Sequence, residues 1–370
     1  MNIKVPFLDV KYTYITIKEE IDAAISKVLH SGKYILDEEV EAFEQEWASY
    51  CEARFCVAVS NGMDAIILAL KALDISSQDE IIVPAHTYIA TWLAASYTGA
   101  KIVPVDINID NYLINIEKIE ESITEKTKVI IPVHLYGHPV DIGLIKNIAK
   151  KYNLYIVEDA AQAHGALYKD NKIGSHGDVV CWSFYPSKNL GAFGDAGAIT
   201  TNNYEIYEKI KMLRNYGSKI KYFHDIIGFN MRMDPIQAAI LRVKLRYLDK
   251  WNEHRTIIAN IYNNEFQHVD NIVPPKSEKW AKHAWHLYVI RNNNRDKLKD
   301  YLLSKGIECL IHYPIPPYRQ KAYSNLDIHF DSSITDKISH EILSLPIGPH
   351  LNENQIEEVV KNIKKFVKSL

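Results

Sequence analysis

The chain has 370 residues, with 43 Lys plus Arg against 46 Asp plus Glu and a formal charge of −3. That near balance excludes bulk-charge binding to nucleic acid, and 47% hydrophobic against 24% charged residues excludes global disorder. No apolar run reaches the ~18 residues of a membrane span, and the first twenty residues lack the apolar core of a signal peptide, so a cytoplasmic protein with neither membrane nor nucleic-acid partners is expected.

Taken in chain order, short apolar or β-branched runs bounded by turn residues predict strands at 55–59, 80–83, 101–105, 128–133, 154–157, 179–183 and 198–201. Helical periods fall between the early ones, at 63–72, 89–97, 116–123 and 142–152. This alternation predicts an α/β fold with a mostly parallel central sheet flanked by crossover helices. A helix at 204–214 follows, then a loop with Tyr216, Gly217, Gly228 and Asn230. A long helix over 236–250 begins at Pro235. Beyond it lie predicted strands at 285–290 and 308–311 and amphipathic helices at 294–305 and 354–368. Pro314, Pro316 and Pro317 keep 313–318 out of any helix interior. At about 150 residues per domain, two domains are expected: a large α/β domain over 1–240 and a smaller α+β domain over 241–370. Cys51, Cys56, Cys181 and Cys309 form no CxxC pair, so neither a disulfide scaffold nor a zinc site is expected.

Three segments carry chemistry. In VAVSNGMDAIILAL (57–70) a strand runs into Ser60, Asn61 and Gly62, and a helix begins. Backbone N–H groups at a helix start bind anions, and Gly62 would let a phosphate come close; an ordinary strand–turn–helix connection reads the same way. In LYIVEDAAQAHG (154–165) an apolar run ends at Glu158 and Asp159, where α/β sheets present ligand sites. Side chains alternate across a strand, so only one of the two acids can face the site and the pair is no acid–base dyad. Asp159 reads as the partner of a buried cation or as the cap of a helix begun at Ala160. In GDVVCWSFYPSKNLGAFGDAGAITT (177–201) Lys188 lies between two predicted buried strands, among aromatics and glycines. Desolvation would lower its pKa and make it an amine able to form a Schiff base; an exposed loop lysine is the alternative. A phosphate cradle, a lysine for an aldehyde and a carboxylate for a pyridinium together describe pyridoxal phosphate. His134 and His138 do not read as a metal pair, because Gly137 and Pro139 break any helical face. His283 and His286, near Trp285, read as hydrogen-bonded packing.

The ordered motifs VPFLDV, SGKYILDEEVEAFE, SNGMDA, PAHTYIAT, VHLYGHPVD, EDAAQAHGA, SFYPSKNLGAFGDAGAI, LRNYGS, GFNMRMDPIQAAIL and IHYPIPPYRQKAY span almost the whole chain. They resemble the DegT/DnrJ/EryC1/StrS sugar aminotransferases. The resemblance implies an aspartate-aminotransferase-like, type I pyridoxal phosphate fold. It implies Lys188 as the Schiff-base lysine and proton carrier, Asp159 at the pyridine nitrogen and Gln162 near the ring hydroxyl. Ser183 with the Gly62 and Met63 amides would hold the phosphate, and Tyr88 would stack on the ring. Asn230 would reach that phosphate from the neighbouring subunit of a homodimer. A dehydratase branch of the family carries His in place of Lys188; lysine here points to transamination. The commoner SRLDELQ pattern reads MRMDPIQ in this chain (231–237), a departure that bears on the dimer contact.

A nucleotide-linked keto-sugar and glutamate are the substrates that the resemblance implies, in deoxysugar or surface-glycan biosynthesis. Tyr34, Lys219, Tyr222, His312 and Tyr313 are the substrate-binding candidates. Lys219 and Lys221, with His224, could meet a diphosphate or form a solvated loop. NYGSKIKY and HYPIPPYRQKAY look most like members that aminate carbon 3 of a dTDP-linked 3-keto-6-deoxyhexose. Amination at carbon 4 and a regulator without turnover are the alternatives.

Overall fold

A computed structural model describes residues 3–326 and 328–369. Its strands are β1 (Phe55–Val59), β2 (Glu80–Pro84), β3 (Lys101–Val105), β4 (Thr127–Ile130), β5 (Tyr155–Asp159), β6 (Leu167–Tyr168), β7 (Asn171–Lys172), β8 (Val179–Ser183), β9 (Gly197–Thr201), β10 (Ala281–Lys282), β11 (Tyr288–Arg291) and β12 (Ile342–Leu345). Seven of them form the central sheet in the order β1-β9-β8-β5-β4-β2-β3. β9 runs antiparallel to both of its neighbours, and the pairs from β8 to β3 are parallel. The α/β class read from the alternating pattern is the one observed.

The strands are short and buried on both faces, as parallel strands under crossover helices must be. Alternation sends neighbouring residues to opposite layers: Trp182 packs with Phe43, Trp47 and Phe184 on one face, and Cys181 with Leu68, Trp92 and Ile199 on the other. A second core joins the helices Leu248–Phe266, Arg295–Ser304 and Glu353–Lys368 to β11 and β12, through Tyr262, Phe266, Tyr288, Leu302 and Ile363. Val5, from the other end of the chain, is buried in that same core.

Four details depart from the sequence expectation. Residues 116–123 form two 3-10 turns, Ile116–Lys118 and Glu120–Ser122, because only Ile119 is fully buried and one anchor cannot hold a longer helix. The expected long helix is two, Pro235–Leu245 and Leu248–Phe266. At the break, Arg246 and Tyr247 both turn out to bond Glu20. β4 stops at Ile130, before Pro132. Residues 308–311 make only an isolated bridge, Leu310 to Ser344; the partner of β11 is β12. Among the described residues no helix is long and apolar enough to cross a membrane, and no group of three or more metal-ligating side chains occurs. All four cysteines are free and buried.

Candidate active site

β1, β5 and β8 end on one edge of the sheet, and a cavity of about 510 Å³ opens there, lined by Gly62, Tyr88, Asp159, Ser183, Lys188 and Tyr313 among others. This is the edge at which ligands enter open α/β sheets.

One wall is the start of the helix Gly62–Ala72. The Asn61 side chain caps it, its Oδ1 accepting the Asp64 N–H at 2.9 Å. The N–H groups of Gly62 and Met63 lie between that cap and Asp64, in the first turn, where no intrahelical acceptor exists. The approach is tight: a Cβ on Gly62 would lie 2.5 Å from Ser183 Cβ and 3.1 Å from Ser183 Cα. A Cβ on Gly197 would lie 2.4 Å from the Asn61 carbonyl carbon. Two missing side chains therefore bring the helix start and the Ser183 hydroxyl to one spot, a cradle shaped and polarised for an anion.

The opposite wall holds the carboxylate. Asp159 is buried, and its Oδ2 accepts the Thr91 hydroxyl at 2.8 Å while Oδ1 accepts the Ala161 N–H at 3.1 Å. Thr91 in turn meets Thr87 at 3.0 Å. The helix expected from Ala160 does not form, so Asp159 caps a turn, and its carboxylate lines the cavity. Glu158 points the other way, as alternation requires: its Oε2 meets His134 Nε2 at 2.8 Å, both fully buried. That contact accounts for His134, while His138 bonds the Pro139 carbonyl at 2.7 Å.

Lys188 sits between the two walls. It is half-buried, and its enclosure pulls its pKa down to about 8 despite the opposing pull of Asp159. The exposed-lysine reading is thereby set aside. Gln162 is clamped at both ends: its Oε1 accepts the Tyr136 N–H at 2.5 Å, and its Nε2 donates to Tyr313 Oη at 3.1 Å. Tyr88 lies at the open side, its ring 5.5 Å from that of Tyr313. His312 also lines the cavity, held by Ser344 at 2.8 Å; burial first, and Lys188 second, lower its pKa to about 4.

The structure thus gathers Gly62, Met63, Tyr88, Asp159, Gln162, Ser183, Lys188, His312 and Tyr313 around one space. It leaves Tyr34, Lys219, Tyr222 and Asn230 exposed and outside that space within their own chain. Tyr34 donates to the Leu29 carbonyl at 2.9 Å, and Lys219 lies 3.8 Å from Glu208. Sequence reasoning missed Thr91, Thr87 and Tyr136, which orient the named residues. Thr91 lies three residues beyond Tyr88, in the first turn of the helix Ile89–Ser96, and that spacing was the available signal. His286, read as packing, does bond Asn189 at 3.1 Å, and it also lines the cavity.

An amine that can shed its proton near pH 8, set across from a carboxylate fixed by two hydrogen bonds, is the pairing on which a pyridoxal phosphate enzyme runs, and the cradle beside it suits that cofactor's phosphate. The protein is an aminotransferase, with pyridoxal 5'-phosphate as its cofactor. Residues 15–364 match the DegT/DnrJ/EryC1/StrS aminotransferase family, and the chain belongs to it. It is 47% identical, over 98% of its length and 99% of the relative's, to the dTDP-3-amino-3,6-dideoxy-alpha-D-galactopyranose transaminase of Aneurinibacillus thermoaerophilus. The structure of S. venezuelae DesV in complex with a ketimine intermediate superposes with a TM-score of 0.97 at 44% identity, covering 100% of both chains. NtdA of Bacillus subtilis, solved with bound cofactor PMP, superposes at 0.92 with 33% identity, over 100% of this chain and 86% of that one.

Proposed function

We propose that this aminotransferase moves the amino group of glutamate to carbon 3 of a dTDP-linked 3-keto-6-deoxyhexose, giving the 3-amino-3,6-dideoxyhexose. What carries the reading is the single cavity shared by the Lys188 amine, the Asp159 carboxylate and the Gly62–Ser183 cradle. The choice of carbon 3 is supported by likeness to the galactopyranose transaminase.

When bound, pyridoxal phosphate supplies an electron sink that makes the carbon–hydrogen bond beside the transferred nitrogen breakable. The residues do the rest. The Gly62 and Met63 N–H groups and the Ser183 hydroxyl hold the phosphate, and Asp159 keeps a proton on the ring nitrogen. Thr91 and the Ala161 N–H fix that carboxylate, so no reorientation is needed during the reaction. The neutral Lys188 amine accepts a proton from one carbon and returns it to another. A pKa near 8 suits both directions at neutral pH. Gln162, held by Tyr313, would lie beside the ring, and Tyr88, next to Tyr313 at the open side, would cover it.

The working unit is a homodimer whose sites are shared. Asn230, Lys219 and Tyr222 do not line the cavity of their own chain, and all three are exposed on its surface. A second subunit brings Asn230 to the phosphate and the lysine loop to the nucleotide diphosphate. The setting is the cytoplasm, in deoxysugar synthesis for a surface glycan or a related product.

The test is incubation of the protein with glutamate and either a 3-keto or a 4-keto dTDP-6-deoxyhexose, with the new amine located by NMR. Nitrogen at carbon 3 is expected. Amination of the 4-keto sugar alone would overturn the regiochemistry, and no amination of either would overturn the substrate class.

A further inference from the structure

A second cavity, of about 560 Å³, lies behind one wall of the first. The two share Ser187, His286, Leu287 and His312, and Ser187 is the chain neighbour of Lys188. The second cavity also presents Arg255 and Lys299.

Arg255 is 3% exposed. Its Nη1 is shared among the carbonyls of Ile347 at 3.0 Å, Trp285 at 3.2 Å and His286 at 3.3 Å. Its Nε is buried with no hydrogen-bond partner, and among the described residues Nη2 makes no bond and no carboxylate pairs with the guanidinium. A buried guanidinium without an anion is costly, and burial lowers its pKa to about 10, still charged at neutral pH. Lys299, half-buried, is the second cation on the wall. The one acid there, Glu308, accepts the Phe7 N–H at 3.2 Å and so is tied to the N-terminal strand-like segment. His286 and His312 are held neutral by burial and by Lys188, and add no charge.

We infer that this second cavity is the subsite for the distal carboxylate of the amino donor, with Arg255 as its anchor and Lys299 as its second cation. The inference rests on the aminotransferase reading above. An α-amino dicarboxylate could place its nitrogen beside Lys188 and its far carboxylate past the His286–His312 wall. Planar N–H donors of a guanidinium match a carboxylate two at a time. The subsite would select dicarboxylate donors over amino acids of similar reactivity that lack the second acid.

The test follows the donor half-reaction alone, by cofactor absorbance in the holoenzyme, with L-glutamate and with L-alanine and no sugar present. Wild type is expected to prefer glutamate. In Arg255→Met the ratio of kcat/KM for glutamate over alanine should fall about 10- to 100-fold, the range of a hydrogen bond to a charged group, chiefly through KM. A fall of the same size for both donors would mark Arg255 as structural and overturn the inference. Calorimetry on the holoenzyme gives an independent reading. Glutarate should bind wild type and bind Arg255→Met at least tenfold more weakly. If instead dTDP binding were lost and glutarate binding kept, the guanidinium would belong to the nucleotide phosphates and the inference would fail. Should Arg255→Met not fold, Lys299→Met serves: a KM for glutamate unchanged from wild type would overturn the assignment. Because no keto-sugar is present, failure here is separable from failure of the carbon 3 proposal.

Discussion

Gly62→Ala tests the phosphate cradle directly. The new Cβ would sit 2.5 Å from Ser183 Cβ and 3.1 Å from Ser183 Cα, whereas carbon atoms in contact lie about 3.5–4.0 Å apart. One neighbour is backbone, so no side-chain rotation relieves the clash. The helix start must retreat from β8 by about 1 Å. Overpacking of that kind costs about 1–3 kcal/mol. The retreat also stretches the charge-assisted hydrogen bonds to a bound phosphate, at about 1.5–3 kcal/mol for each one lost. Losing one of them corresponds to a Kd for pyridoxal phosphate raised about 10- to 100-fold. The assay is titration of cofactor onto the cofactor-free protein by absorbance, with Tm measured in parallel. Adding Ser183→Gly removes the nearest atom but leaves the backbone contact, so the double variant should regain part of the Tm and none of the affinity. Gly194→Ala is the control, because its Cβ would meet only the Gln237 side chain, at 3.3 Å. Gly62→Ala with wild-type Kd and wild-type Tm would refute the cradle.

Lys188→Ala should abolish turnover and the absorbance of bound aldehyde; borohydride trapping in wild type should label Lys188. With a pKa near 8, the neutral amine rises from about one-tenth at pH 7 to about half at pH 8 and about nine-tenths at pH 9, so cofactor capture should quicken with pH and level off above about pH 9. The same shift bears on stability: between pH 8 and the ordinary lysine value of 10.5 the unfolded chain holds the proton and the folded one does not. Stability of the cofactor-free protein should therefore climb across that window, and Lys188→Met should flatten the climb in denaturant titrations. Asp159→Asn should cut kcat at least a hundredfold, and Thr91→Val, which frees Asp159 Oδ2, about tenfold with little change in Tm. Near-normal rates in both would count against the carboxylate. Mixing Asn230→Ala with Lys188→Ala protein should restore part of the activity if sites are shared between subunits, and no recovery would argue that each chain works alone.

The chemistry of the site was legible because it follows strand ends. Asp159 and Ser183 close apolar runs, Gly62 opens a helix after one, and Lys188 lies between two. What stayed hidden depends on distant partners. Nothing around Thr91 announces that its hydroxyl meets Asp159, 68 residues away. β12, a run of four residues closed by Pro346, is too short to announce itself until β11 is laid beside it. At the split of 236–250, Arg246 and Tyr247 both bond Glu20, at the other end of the chain, a pairing no local period could report. Arg255 reads as one more charge on a helix, and only its burial singles it out. Asn230 and Tyr222 are exposed in their own chain, and nothing local in the sequence marks them as surface residues.

β9 is threaded between β1 and β8, and its first residue, Gly197, is the one that makes room for Asn61. The loop that carries Lys188 is therefore closed off by a strand that follows it in sequence. That reversed strand separates β1 from β8 and still lets the Gly62 helix start meet Ser183, because Gly197 carries no side chain. A side chain on that one short strand would press on the Asn61 backbone and so disturb the cradle from behind.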